Sequence, residues 1–380
     1  MTTEILTAAR RTWLRLARVP GMDAAAARAL LSRLGGPEAL LALDEACLAP
    51  AALARAGLTP AGVRAFRDVD EATLARDLCW LEAPGHALIT ADDSRYPPQL
   101  AATAGAPPAF FVLGDPSVLS APQLAIVGSR SATAAGRETA FEFAGRLSAA
   151  GLAITSGLAV GIDAAAHRGA LAAGGRTIAV CGTGLDQVYP AEHALLAAAI
   201  TAQGALVSEF SMGTPPLAAN FPQRNRLMSG LARGVLVIEA AARSGSLITA
   251  RLAGEQGRDV MAVPGSIHNA LARGCHRLIM DGAALVESPE DVLATIGFRA
   301  PGTPGNAPAR ARDSGNGLDS AEEMLLNALG FEPADLDKLV ERTGLAAHSV
   351  ASMLQMLELE GRIESLAGGR YSRTPPRQAR

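Results

Sequence analysis

The feature that most constrains this chain is a series of short, unbroken apolar runs rich in β-branched residues, each followed by a stretch of helical character. From about Pro107 onward these runs are LAIVG (124–128), LAIT (152–155), TIAVC (177–181), ALVSE (205–209), GVLVIE (234–239), DVMAV (259–263) and ALVE (284–287). They do not alternate apolar with polar residues, which is the pattern of strands covered on both faces. Helical stretches at 136–150, 163–173, 191–203, 223–233 and 246–257 lie between them. Such alternation calls for parallel strands joined by right-handed crossovers. The fold class is therefore α/β, with a Rossmann-like, doubly wound, mainly parallel sheet over residues 81–298.

A chain of 380 residues exceeds the roughly 100–200 residues usual for one domain, so the flanks should fold separately. Residues 1–80 read as short amphipathic helices with a turn at Pro20-Gly21, a helical domain of the SAM or helix-hairpin-helix kind. No basic residue follows that turn until Arg28, so the helices are read as a packing or protein-contact module. Residues 299–317, made of Pro, Gly, Ala and Arg without periodicity, read as a flexible linker. Three helical stretches (319–329, 333–343, 346–361) and the strand pair RIESLAGGRYSR then predict a winged-helix domain over 318–375, ahead of a disordered tail.

Composition removes several function classes. The net charge is −3 and the pI about 6.1, so any affinity for nucleic acid must come from a local patch. Lys338 is the one lysine, which rules out a P-loop NTPase, whose glycine-rich turn needs a neighbouring lysine. Cys47, Cys79, Cys181 and Cys275 are far apart and match no zinc spacing; the expectation is a reduced, cytoplasmic protein without metal or cofactor. No leader or membrane-spanning stretch is read in the chain. The dinucleotide pattern G-x-G-x-x-G is missing after the first strand, and Gly182-Thr183-Gly184 lacks a third glycine. No G-x-S-x-G elbow is present to seat a nucleophile.

Ligands of an open parallel sheet bind where loops leave the carboxyl ends of its strands. Those loops carry Gly128, Ser129 and Arg130; Ser156, Gly157, Gly161 and Asp163; Phe221, Arg224, Asn225 and Arg226; and Ser244, Gly245 and Ser246. Small residues and hydroxyls that open helices suit an anion, which free amides and the helix dipole can hold. Between residues 224 and 258 six arginines stand against Glu239 and Glu255. Arg130, Arg224 and Arg226 are expected on one phosphate-gripping rim, while Arg233, Arg251 and Arg258 are read as solvated helix surface. Aromatics make up only 4% of the chain, too few for a base-stacking platform, and Phe221 is the only one near the arginines. Asp163 and His167, four apart, are read as a helix cap and a loop anchor rather than an acid–base pair, and no catalytic residue is expected.

The ordered motifs AIVGSRSAT, SGLAVGIDAAAHRGAL, TIAVCGTGLDQVYP, FPQRNRLMSGL, EAAARSGSLITARLAGEQGRDVMAVPG and GCHRLIMDGA resemble the DprA/Smf family of DNA-processing proteins, densely over about residues 85–297. The resemblance implies single-stranded DNA binding and protection, loading of the RecA recombinase during natural transformation, homodimers formed through the Rossmann-like domain, and no catalysis. It maps a phosphate pocket onto Gly128-Ser129-Arg130, the Ser156–Asp163 loop and Arg224-Asn225-Arg226. Ala135, His193 and His276 depart from the residues common in the family. Two other readings compete with it. One is a phosphoribohydrolase-like, nucleotide-cleaving enzyme of the same superfamily, although its P-G-G-x-G-T-x-x-E pattern is missing at Pro264-Gly265-Ser266. The other is a transcription regulator acting through the winged helix, whose candidate recognition helix is poor in positive charge.

Overall fold

The computed structural model describes residues 3–34, 60–299, 320–329, 333–359, 361–366 and 368–374, and divides into two compact units between Thr303 and Pro304. The linker expected at 299–317, apart from Arg299, lies outside the described residues, as do the helices expected between 35 and 59 and the tail from 375.

The first unit opens with α1 (Thr3–Leu16), α2 (Ala24–Leu34), α3 (Pro60–Arg67) and α4 (Glu71–Trp80), and a short α5 (Pro98–Ala101) follows. Trp13, Leu14, Leu30 and Leu74 from these helices share one continuous core with sheet residues Leu88, Phe110 and Phe111. Burial of this apolar surface is the main force holding helices and sheet together. A polar latch sets their register. The fully buried Asp77 of α4 accepts from Arg18 and, at 2.8 Å, from the amide of Met212, while Arg18 also donates to the Ser211 hydroxyl at 2.6 Å.

The sheet contains β1 (His86–Thr90), β2 (Ala109–Gly114), β3 (Gln123–Gly128), β4 (Ala153–Ser156), β5 (Thr177–Val180), β6 (Ala205–Ser208), β7 (Gly234–Ile238), β8 (Asp259–Ala262) and β9 (Ala284–Leu285). Their order is β1-β2-β6-β5-β4-β3-β7-β8-β9. From β6 across to β9 all pairs are parallel, giving the mainly parallel, doubly wound sheet that the apolar runs predict. β2 adds to β6 antiparallel and β1 adds to β2 antiparallel, an edge that the run pattern does not predict. Pro84-Gly85 and Pro107-Pro108 bracket these two segments with turn signals that mask two short apolar runs. β9 stops at Leu285 rather than at Glu287, because the Glu287 amide is held by Asp291, the partner of Ser288 in the capping box of the helix that follows.

Helices cover both faces. Leu124 and Ile126 of β3 pack with α6 (Ala134–Ala149) and α7 (Ile162–Ala172), whereas Ala125 and Val127 pack with α8 (Ala194–Gln203), α9 (Asn220–Leu231) and α10 (Ser246–Glu255). The period-2 alternation of side chains along each strand produces these two faces. α11 (Arg273–Met280) and α12 (Pro289–Thr295) complete the unit. β3 pairs with β4 on one side and β7 on the other, and the chain winds outward in both directions from it. The ligand crevice of such a fold opens at that reversal of strand order, outside the carboxyl ends of β3 and β7.

The second unit packs α13 (Ser320–Leu329), α14 (Leu336–Thr343) and α15 (Ala347–Leu359) on an antiparallel sheet of β10 (Ala334–Asp335), β11 (Ile363–Leu366) and β12 (Arg370–Arg373), ordered β10-β12-β11. Leu325, Leu339, Val350, Leu354 and Ile363 form its core. The Asp335 side chain caps α14, which ends on Gly344 at φ 68, a conformation that glycine adopts without strain. This is a winged helix. Among the described residues no helix is long and apolar enough to cross a membrane.

Candidate nucleic-acid interface

The turns after β3 and β4 are knitted to each other and to the sheet. Gly161 stands at φ 82, where a Cβ would lie 2.3 Å from the Ser129 carbonyl, and that carbonyl accepts from the Ile162 amide. Gly128 packs so closely that a Cβ would lie 1.9 Å from the Ile238 carbonyl. Ser156 is fully buried and donates to the Ile126 carbonyl at 2.7 Å, and the Ser129 amide donates to the Glu239 carbonyl at 2.7 Å. The Gly157 amide donates to the Asp163 carboxylate at 3.1 Å. These small residues therefore let the chain close on itself. The sequence presents them as surfaces for an outside anion, but here the chain's own atoms fill the space. Ser244, Gly245 and Ser246 differ: the two hydroxyls bond each other at 2.7 Å, and nothing stands within 4 Å of a Cβ at Gly245. That turn, at the start of α10, stays open.

Arg224 and Arg226 part company. The sequence places both on one rim, but they lie two apart on α9, and residues two apart on a helix point to different sides. Arg224, only 5% exposed, donates to the carbonyls of Gly157 and Val180 at 2.6 Å each and to Asn225 Oδ1 at 3.1 Å. It is a clamp across the ends of β4 and β5. Burial pushes the Asp163 carboxyl up, against the pull of the neighbouring Arg224 and of two amides. Arg226 instead pairs with Glu209 at 2.6 Å and donates to the Gly105 carbonyl, toward the antiparallel edge. The expected cluster of three guanidiniums does not form. His167 takes no part in an acid–base pair with Asp163, since its Nδ1 bonds Thr177 Oγ1 at 2.7 Å and burial drives its pKa down to about 3, leaving it neutral. His193 anchors the Leu158 carbonyl at 2.8 Å.

Two exposed side chains and a half-buried ring meet beside this closed scaffold. Arg130, exposed at the end of the β3 turn, places its guanidinium 5.2 Å from the centre of the Phe221 ring, and that of Arg224 reaches the same ring at 5.9 Å. Tyr189, 45% exposed, stands 6.1 Å from Phe221 at a tilt of 44°. Phe221 rests on Gly182, where a Cβ would come within 3.1 Å of the ring. Loops after β3 and β5 and the start of α9 thus bring a cation and two aromatics to one edge. Such a trio can hold a planar ring by stacking and an anion by charge. Tyr189 was not among the residues the sequence pointed to. Its signal was the motif GLDQVYP, but 32 residues separate it from Phe221 and only the sheet joins them.

The Glu209–Arg226 pair carries a pH signature. Burial raises the Glu209 carboxyl to about 6 from an ordinary 4.5, although Arg226 pulls it down. The folded chain therefore holds this proton more tightly than the unfolded chain. The contribution to stability is full below about 4.5 and is lost as pH rises through about 6. Glu209→Gln should remove that fall, so the difference in Tm between variant and wild type should grow in the variant's favour from pH 4.5 to 6.5. A difference that is flat across this range would count against a raised Glu209 carboxyl.

In chain order the protein thus combines a helical layer, a Rossmann-like doubly wound sheet with a cationic and aromatic rim, and a winged helix. Residues 87–297 match the family model of DNA recombination-mediator protein A, residues 8–79 that of the SMF/DprA SAM domain, and residues 307–369 that of the DprA winged helix domain. The chain belongs to the DprA/Smf family. It is 46% identical over 321 residues to Protein Smf of Escherichia coli, covering 83% of this chain and 85% of that one. The crystal structure of DNA processing protein A from Streptococcus pneumoniae superposes with a TM-score of 0.63 at 36% identity, covering 74% of this chain and 95% of that chain. DNA processing protein A from Helicobacter pylori, whose structure is described in terms of its single-stranded DNA binding mode, superposes at 0.51 with 26% identity, covering 56% and 95%.

Proposed function

We propose that this protein binds single-stranded DNA along the carboxyl edge of β3, β4 and β5, protects it, and passes it to the RecA recombinase in natural transformation, as a cytoplasmic homodimer that cuts no bond. The observation that carries the reading is the Arg130–Phe221–Tyr189 edge, with Arg130 and Tyr189 exposed and Phe221 half-buried between the turns after β3 and β5. Arg130 offers a fork to phosphate oxygens, and the two rings offer faces to a splayed base. The Ser244-Gly245-Ser246 turn, open at the start of α10, offers a further place where a phosphate could be held. Family relatives described by DNA processing, among them a single-strand binder, support the same reading.

The deciding experiment is fluorescence anisotropy with single- and double-stranded oligonucleotides at two salt concentrations. Single strands should bind more tightly, with a log–log salt slope of about −0.7 for each phosphate contacted. Equal affinity for duplex would count against the assignment. Removing residues 304–380, which fold as a separate unit, should leave most single-strand affinity in place, and near-complete loss would transfer the activity to the winged helix. Light scattering tests the dimer. Strand exchange with RecA on protein-coated DNA tests the hand-over, and release of adenine from AMP tests the nucleotide-cleaving alternative.

A further inference from the structure

We infer that Glu239 keeps free nucleotides out of this domain and so restricts it to polymeric DNA. The inference rests on the single-strand reading and deepens it, because it concerns which phosphates the domain accepts. In a doubly wound sheet the nucleotide phosphate sits at the switch-point crevice, on the N-terminus of the helix that follows the first of the two central strands. Here those strands are β3 and β7, and the helix is α6, 16 residues long and capped by Thr133. The place is taken. Glu239, the first residue beyond β7, accepts from the Thr133 amide at 2.8 Å through one carboxylate oxygen and from the Thr133 hydroxyl at 2.6 Å through the other.

Two further observations show how closely the chain is built around this carboxylate. Gly136, in the first turn of α6, has no side chain, and a Cβ there would lie 2.4 Å from the Glu239 carboxyl carbon. Glu239 itself stands at φ 51, a left-handed conformation rare for a residue with a side chain, and such positions cluster where function requires a particular geometry. Its carbonyl also accepts the Ser129 amide at 2.7 Å, so one residue fills the crevice and shapes the turn that carries Arg130. A carboxylate has the charge of a phosphate oxygen and occupies the same donors. A mononucleotide arriving at the crevice finds its anchor occupied and a negative charge in place. A DNA strand does not need that anchor, because Arg130, Phe221 and Tyr189 lie on the neighbouring rim over β3 to β5.

The test is isothermal titration of the full chain with inorganic phosphate and with AMP, alongside oligonucleotide anisotropy. Glu239→Gly empties the crevice and suits a positive φ. It should bind AMP and phosphate about tenfold or more tightly than wild type, the gain expected when a phosphate takes over vacant charge-assisted donors. Glu239→Gln fills the same volume and should exclude both ligands as wild type does. If Glu239→Gly does not melt cooperatively, Glu239→Asn takes its place, since asparagine tolerates positive φ and is too short to reach Thr133. Wild type binding AMP as tightly as these variants, or a cooperatively folded variant gaining no affinity, would overturn the inference. Failure of the wild type to bind oligonucleotide would overturn the single-strand reading instead, and the AMP comparison would still stand.

Discussion

Replacing Arg224 by alanine is expected to destabilise the first unit by about 2–6 kcal/mol, at about 1–3 kcal/mol for each of two buried carbonyls left without a donor. The side chain is 5% exposed and holds the Gly157 and Val180 carbonyls at 2.6 Å each. Its loss leaves those two acceptors without a donor and removes one of the positive charges near the buried Asp163 carboxyl. Arg224→Lys should recover only part of the loss, because a point ammonium cannot reproduce a planar fork toward two carbonyls and Asn225. Denaturant unfolding checks both variants. The salt slope of whatever DNA binding survives should equal that of wild type, since Arg224 is turned inward. The sequence-based placement of Arg224 on the phosphate-gripping rim is therefore replaced. An Arg224→Ala protein of normal stability with a flatter slope would restore it.

The largest effect on binding should come from the exposed edge. Arg130→Ala removes one phosphate contact and should flatten the log–log slope by about 0.7. Stability should change by no more than about 0.5 kcal/mol, because Arg130 is exposed. Phe221→Ala removes a stacking face and should cost about 1–3 kcal/mol of affinity, roughly a 5- to 150-fold rise in Kd. The slope should stay as in wild type. The two losses should not add, since the Arg130 guanidinium lies 5.2 Å above the Phe221 ring and each orders the other. A double-mutant cycle on oligonucleotide affinity measures that coupling. Strict additivity would mean that ring and guanidinium meet the strand independently.

Much of the fold was legible because its signals are local. The run LAIVG reads as a covered strand from composition alone, and β3 spans Gln123–Gly128. The winged helix announced itself through helical periods and a glycine turn between RIESL and RYSR. β1 and β2 escaped because their strand character comes from pairing with β6 and with each other rather than from length or pattern. The site was legible by neighbourhood and not by role. The loops after β3, β4 and β5 were found, but which groups face inward could not be read from spacing. Arg224 and Arg226 look equivalent in FPQRNR and differ only once a helix turns one toward Gly157 and the other toward Glu209. Glu239 counted in the sequence only as a negative charge among arginines.

The sequence by itself determined the parallel α/β core, the edge of that core where ligands meet it, and the family. Apolar periodicity and glycine-rich turns act over a few residues and so appear in the chain directly. Only the tertiary structure decided that Arg224 is a buried clamp, that Tyr189 joins Phe221 beneath Arg130, and that Glu239 occupies the N-terminus of α6. Each of these depends on contacts between residues tens to more than a hundred positions apart, where desolvation and hydrogen-bond geometry set the role of a charged group.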